Sequence, residues 1–262
     1  MTARASHQPP GRYRFRHLAR MEWVKLRSLR STWLILALTV CASAGIAFAT
    51  GSGYTASGGG FVSYTLVGML IGVLLIGAAG VLTVTSEYAS GTISATFAAA
   101  PRRLSVLAAK AAVLSAVALI TGEAAAFLSF FAAGVTLRHG IAAPALSQPG
   151  VPRAIVLTGA SLSLTGLFGL GIGTIIRHTA AAMTVVVGIV FVCGTFIGRL
   201  DLAIRPYLPL YIVSHSLGAT GPACLPGMAS CWLSPWGGLG MLAGYAAIAM
   251  LLGALILARR DA

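Results

Sequence analysis

The sequence predicts an all-α integral membrane protein with six transmembrane helices. The 262 residues are 57% hydrophobic and only 9% charged, and residues 31–86 contain no charged residue and no histidine. A soluble domain carries about 25% charged residues, because its surface must stay polar. The net charge of +13 does not indicate a nucleic-acid partner, since the basic residues gather at the N-terminus and beside apolar runs.

The apolar runs set the positions of the spans. A bilayer core needs about 20 apolar residues per helix, and a spanning segment is helical because lipid offers the backbone no hydrogen-bond partner. The turn-forming run GSGYTASGGG separates the first two spans. The transmembrane domain is expected over 32–258, between an N-terminal tail with an interfacial helix (1–31) and a C-terminal tail (259–262). The spans are expected at 32–50, 61–85, 111–135, 154–176, 180–198 and 236–258.

The basic residues predict the orientation of the chain. With six spans, both termini lie on one side. Fourteen of the eighteen Lys and Arg residues then lie on that side and four on the other. We therefore expect a multi-pass protein of the cell (inner or plasma) membrane with both termini in the cytoplasm.

Residues 12–31 are predicted to form an amphipathic helix at the cytoplasmic interface, with apolar residues on one side and arginines on the other. Glu22 and Lys25 fall within the apolar sector at i,i+3 spacing, which allows them to pair. Two interpretations stay open: the pair has a docking or packing role, or the segment is a basic flank that serves only topology.

The link between spans 2 and 3, residues 86–110, is predicted to contain a short helix on the cytoplasmic face. Glu87 is the first charge after span 2, and Gly91-Thr92 interrupts or caps the helix. Pro101 ends the next apolar segment, and Lys110 is expected to extend toward the headgroups from the start of span 3. The alternative is a topological loop with a basic clamp.

Three stretches together resemble the membrane subunit of ABC-2 type transporters, in particular small six-span permeases whose ATPase is a separate chain. These stretches are MEWVKLRSLRSTW, TSEYASGTISATFAAAPRRLSVLAAK and LSPWGGL with the terminal LARRDA. The resemblance implies an elbow helix before span 1 and a coupling helix between spans 2 and 3. It also implies a separate ATP-binding subunit that uses ATP and Mg, and a second permease chain. The coupling candidates that it implies are Glu87, Gly91, Thr92, Pro101, Arg102 and Arg103.

Glu123 is the one carboxylate expected within a span, where an ionisable group is costly and marks a functional site by default. Two roles stay open for it. It lines a path for a cationic substrate, or it is protonated and hydrogen-bonded to a neighbouring helix.

Three features of the outer side and the spans complete the prediction. Cys224 and Cys231 lie in the expected external loop, where a disulfide is preferred over two free thiols. Residues 202–213 are apolar but broken by two prolines, so they are a re-entrant element or a loop folded over the bundle. Small-residue faces for close helix packing are expected at Gly68/Gly72, Gly169/Gly173 and Gly240/Gly244.

The chain is not expected to be an enzyme by itself. Neither lysine belongs to a phosphate-binding loop, and the histidines are too scattered for a metal site, so no cofactor or metal is expected on this chain. The preferred function is the permease subunit of an ABC-2 type exporter for a hydrophobic or amphipathic substrate. The alternatives are a non-transport membrane scaffold or immunity protein and, less favoured, an intramembrane enzyme.

Overall fold

A computed structural model describes residues 15–54, 61–99, 103–137, 145–200, 203–217 and 233–259. Over these ranges the regular structure is entirely helical, which confirms the all-α fold class. Short 3₁₀ or π segments lie at Leu66–Gly68, Gly188–Val192, Arg205–Tyr207 and Ile212–Ser216. The α-helices are α1 Phe15–Ser28, α2 Arg30–Gly51, α3 Phe61–Thr65, α4 Met69–Ala89, α5 Thr92–Ala99, α6 Arg103–Val135, α7 Val151–Ile176, α8 Thr179–Val187, α9 Cys193–Leu200, α10 Pro209–Tyr211 and α11 Pro235–Arg259.

Six helical segments are long and apolar enough to cross a membrane, as the sequence predicted. They are Arg30–Gly51, Leu66–Ala89, Arg103–Val135, Val151–Ile176, Thr179–Gly198 and Pro235–Arg259. The third of them begins at Arg103, eight residues ahead of the expected start at 111. The extra residues are mostly good helix formers, so the helix continues beyond the apolar run. Its 33 residues extend about 50 Å, against about 30 Å for a bilayer core.

Helix α7 lies at the centre of the bundle and packs against α4, α6 and α11. Small residues allow this close packing. A Cβ atom on Gly80 or on Gly122 would collide with the backbone carbonyl oxygen of Gly166 or of Gly159, respectively. Without a hydrophobic driving force between helices in lipid, the van der Waals packing that such close contact allows is one of the sources of helix association.

Two of the three expected glycine faces pack within the chain. Gly68 lies against the backbone of α2 at Ser43, and Gly169 lies against the backbone of α4 at Gly77. By contrast, a Cβ on Gly240 or on Gly244 would have no neighbour within 4 Å in the part of the chain that the structure describes.

Helix α1 lies against the first turns of α6. Leu18 of α1 packs with Val106 and Ala109 of α6 in a small buried cluster. The chain then turns at Leu29 into α2, and the indole Nε1 of Trp33 donates a hydrogen bond to the carbonyl of Arg27 at 3.0 Å. This corner fixes α1 relative to the first span.

The segment before α11 folds onto the bundle as short helices. Ile212 and Val213 are buried, and the Tyr245 hydroxyl donates a hydrogen bond to the carbonyl of Tyr207 at 2.8 Å. This packing resembles the folded-over alternative. Cys224 and Cys231 lie outside the described residues, so their disulfide stays a prediction.

Candidate functional site

Four charged side chains from three helices meet at the end of the bundle that carries α1. They are Glu22 and Lys25 of α1, Glu87 of α4 and Lys110 of α6; we call them the charge cluster. Lys110 Nζ lies 2.7 Å from Glu22 Oε2 and 2.6 Å from Glu87 Oε1. Lys25 Nζ lies 3.3 Å from Glu22 Oε1 and 3.0 Å from Glu87 Oε1. Two carboxylates and two ammonium groups make the cluster neutral overall.

Burial makes this pairing energetically important. The side chains of Lys110 and Glu22 are 3% and 2% exposed. An isolated charge in such a place is very costly, and a buried ion pair is tolerated only when its geometry is good and further hydrogen bonds are made. Lys110 also donates to the backbone carbonyl of Thr83 at 3.5 Å. Each of the two groups therefore depends on its partners to offset the cost of burying a charge.

The amphipathic sequence of α1 explains how Glu22 reaches this position. Leu18, Glu22 and Leu26 share one buried face of the helix, whereas Arg16, Arg20 and Arg27 are exposed. Burying the two leucines against the bundle carries the carboxylate between them into contact with Lys110. The predicted pairing of Glu22 with Lys25 is present, within a larger network.

Lys25 connects the cluster to α5. Its ammonium group donates to Thr96 Oγ1 of α5 at 3.3 Å, in addition to the two carboxylates. Burial lowers the pKa of Lys25, but the hydrogen bond to Glu87 and the negative charges of Glu22 and Glu87 raise it by more. The pKa of Lys25 therefore lies above its ordinary value, and the group stays charged at neutral pH.

Glu87 has an unused hydrogen-bond acceptor. Both lysines donate to its Oε1 atom, while Oε2 is buried and has no hydrogen-bond partner. The residue is 9% exposed. It also borders a cleft of about 580 Å³ between α1, α4, α5 and α6.

The other coupling candidates occupy the turn between α4 and α5 and its surroundings. Gly91 has a φ of +70°, a left-handed conformation that glycine adopts without strain. Thr92 is exposed at the start of α5, with its Oγ1 atom 2.9 Å from Ser90 Oγ. Arg103 begins α6. Pro101 and Arg102 lie outside the described residues.

Lys110 does not extend toward the headgroups as the sequence predicted. The aliphatic stem of Lys110 is long enough for its ammonium group to reach the headgroups. Two carboxylates from other helices, Glu22 and Glu87, hold the ammonium group inside the bundle instead. Sequence reasoning also missed Thr96. One sequence signal pointed to the charge cluster. Both lysines lie near the two carboxylates that border the same predicted interface.

A second link lies at the same end of the bundle. Arg177 follows α7 with a φ of +61°, and its guanidinium carbon lies 5.2 Å from the centre of the Tyr88 ring of α4. This distance is typical of a cation–π contact. It ties the connection between α7 and α8 to the end of α4, next to Glu87.

Glu123 lies well apart in sequence from the other carboxylates and packs against α7. Its carboxyl group occupies the space beside Gly159, where a Cβ atom would lie 2.7 Å from the Glu123 Cδ. Its Oε2 atom is buried without a hydrogen-bond partner. In the described part of the chain, no three His, Cys, Asp or Glu residues are grouped as a metal site would need.

These observations define the class of protein. Six long apolar helices make the chain a helical multi-pass membrane protein whose outer surface contacts a lipid bilayer. No protein-family model matches the sequence, and no curated protein gives a significant match to it.

Proposed function

We propose that the chain is the membrane-spanning permease subunit of an ABC-2 type transporter whose ATPase is a separate polypeptide. The observation that carries the proposal is the charge cluster. It joins an interfacial helix (α1), a short helix between two spans (α5) and the spans α4 and α6 through side chains, at one end of the bundle. The resemblance to ABC-2 permeases supports the same assignment, since it implies an elbow helix and a coupling helix at these places.

In this proposal the α1 end faces the cytoplasm, in agreement with the distribution of Lys and Arg. The partner subunit binds ATP and Mg and hydrolyses the nucleotide, and this chain is not catalytic. Gly91, Thr92 and Ser94 are exposed and form the surface offered to that partner. A displacement of α5 reaches α1 through the contact between Thr96 and Lys25. It reaches the spans through Glu87 and Lys110.

A large apolar cavity supports a hydrophobic or amphipathic substrate. It has a volume of about 340 Å³ and lies between α7, α11 and the segments over 188–193 and 208–213. Its walls include Phe168, Ile172 and Leu242. Small-molecule sites in proteins are typically apolar cavities of about 300–1,000 Å³. Export and assembly with a second permease chain are part of the proposal, by resemblance.

The test is affinity purification of the chain from its native membrane in mild detergent, with identification of the co-purifying proteins. We expect a stoichiometric ATP-binding subunit with the unmodified chain. The variant Thr92→Trp, at the exposed start of α5, should lose it. Ser52→Trp is the matched control. It places the same side chain at an exposed site just after α2, at the end of that helix away from α1, and should retain the ATP-binding subunit.

Two results would contradict the proposal. Recovery of the chain alone, under conditions that preserve other membrane complexes, would favour the scaffold or immunity protein. Equal loss of the partner in both tryptophan variants would show that α5 is not the docking surface.

A further inference from the structure

An apolar crevice lies next to the cleft beside the charge cluster. The crevice has a volume of about 120 Å³ and lies between α2, α4 and α6, with Ile35, Ile76 and Leu114 among its walls. Leu26 and Thr83 border both the cleft and the crevice. A charged, hydroxyl-rich space therefore shares a wall with an apolar space between membrane-spanning helices.

Among the described residues that line the cleft, one buried side-chain atom is unsatisfied, and it is an acceptor. Lys25 has three N–H donors, and its three acceptors are Glu22 Oε1, Glu87 Oε1 and Thr96 Oγ1. Lys110 likewise has three acceptors: Glu22 Oε2, Glu87 Oε1 and the Thr83 carbonyl. Neither lysine has a donor left for Glu87 Oε2. A buried carboxylate oxygen without a donor costs more than a neutral group would.

We propose that this site binds a membrane phospholipid with an ethanolamine headgroup. Its primary ammonium donates to Glu87 Oε2 from the cleft, and the first few methylene groups of one acyl chain enter the crevice of about 120 Å³ between α2, α4 and α6. The zwitterionic headgroup suits a cluster whose own charges cancel, and the phosphate lies toward the mouth, where the Lys25 side chain is 36% exposed. The adjoining apolar crevice favours a lipid over a lysine side chain of a protein partner, which has no acyl chain to place there.

This proposal goes beyond the transporter assignment and does not depend on it. The lipid is a resident ligand that bridges α1, α4 and α5, whether or not an ATPase binds nearby.

The test is native mass spectrometry of the full chain in detergent, after incubation with phospholipids that share the same acyl chains. The probes are phosphatidylethanolamine, phosphatidylcholine and phosphatidylglycerol. Phosphatidylcholine is the sharpest comparison, because its quaternary ammonium has the same charge but no N–H to donate. We expect retention of phosphatidylethanolamine over phosphatidylcholine by about tenfold or more, as for a hydrogen bond to a charged group.

Two variants separate the headgroup contact from the chain contact. Glu87→Gln removes the charged acceptor and should abolish the preference for ethanolamine over choline. Ala79→Leu fills the crevice, where Ala79 is half-buried, and should weaken binding of every lipid while leaving all charges in place. Arg20→Ala, at an exposed position on α1, is the control and should bind as the unmodified chain does.

Equal retention of the three lipids by the unmodified chain would overturn the proposal. So would unchanged ethanolamine binding in Ala79→Leu, which decides the question even if Glu87→Gln proves unstable. A preference for phosphatidylglycerol would show instead that the mouth of the cleft binds anions and that Glu87 takes no part.

Discussion

Lys110→Met should release α1 from the bundle. Methionine fills nearly the same space as the lysine stem but removes the ammonium that contacts Glu22 and Glu87 at 2.7 and 2.6 Å. Two carboxylates then share Lys25 alone, and Glu22 is 2% exposed. Removing one partner of a buried ion pair typically costs about 3–5 kcal/mol, because the remaining charge stays buried and uncompensated.

The helix most affected is α1. It has 14 residues, a length at which an isolated helix is marginal in water, so its order depends on packing against α6. A cost of about 3–5 kcal/mol corresponds to an increase of ~150- to ~5,000-fold in the population of the opened state. The measurable increase in exchange rate has an upper limit, which is reached when the α1 amides exchange as fast as those of an unfolded peptide.

The assay is hydrogen–deuterium exchange of the purified protein, followed on peptides from α1, with peptides from the central helix α7 as the internal reference. Lys25→Met is the matched comparison. The Lys25 side chain is 36% exposed, so its ion pairs are partly screened by water and the expected increase is much smaller.

The double variant Glu22→Gln with Lys110→Met restores charge balance, since Glu87 and Lys25 remain as a pair. It should recover most of the lost protection, because replacing both members of a buried pair costs far less than removing one. The reasoning is refuted if Lys110→Met changes α1 exchange by less than about tenfold. It is also refuted if the double variant exchanges faster than Lys110→Met.

Three further predictions concern the packing and the turns. Gly80→Ala should lower the free energy of unfolding by about 1–3 kcal/mol, because its Cβ would collide with the Gly166 carbonyl. Gly45→Ala, whose Cβ meets nothing within 4 Å among the described residues, is the control and should not lower it. Equal thermal shifts of the two variants in detergent would contradict this prediction. Gly91→Ala should lower the free energy of unfolding by about 1 kcal/mol, because alanine is strained at φ +70°. Gly91→Asn should lower it less, since Asn tolerates the left-handed region. The unfolding temperatures of the two variants test this order. Glu123→Gln should leave thermal stability unchanged, because the buried Oε2 atom has no hydrogen bond to lose. A loss of transport with the fold retained would then assign Glu123 to the substrate path, and a large fall in unfolding temperature would show that the carboxylate is structural.

The fold class could be predicted because the bilayer constrains it so strongly. An uncharged stretch over 31–86 that is long enough for two spans has few folded alternatives. The boundary at Arg103 could not be predicted, because helix formers continue a helix beyond the apolar run and hydropathy does not record it.

The charge cluster was only partly predictable. The i,i+3 spacing identified Glu22 and Lys25 as a pair, because neighbours on one helix turn are fixed by local geometry. Lys110 and Glu22 are 88 residues apart, and the packing of α1 on α6 brings them together. A lysine at the start of a span is equally compatible with lipid headgroups and with a buried carboxylate, so its partner depends on tertiary structure.

The length of α6 has a mechanical consequence. As a continuous rod of about 50 Å, it converts a small rotation into a displacement that grows with distance from the pivot. Lys110 lies nine residues from the middle of the helix, about 14 Å along its axis. A tilt of about 10° about the middle moves the Lys110 backbone by about 2 Å, more than a 2.6 Å hydrogen bond tolerates without readjustment. The helix is thus a lever arm, and a tilt of this size requires the ion pairs at Lys110 to break or rearrange.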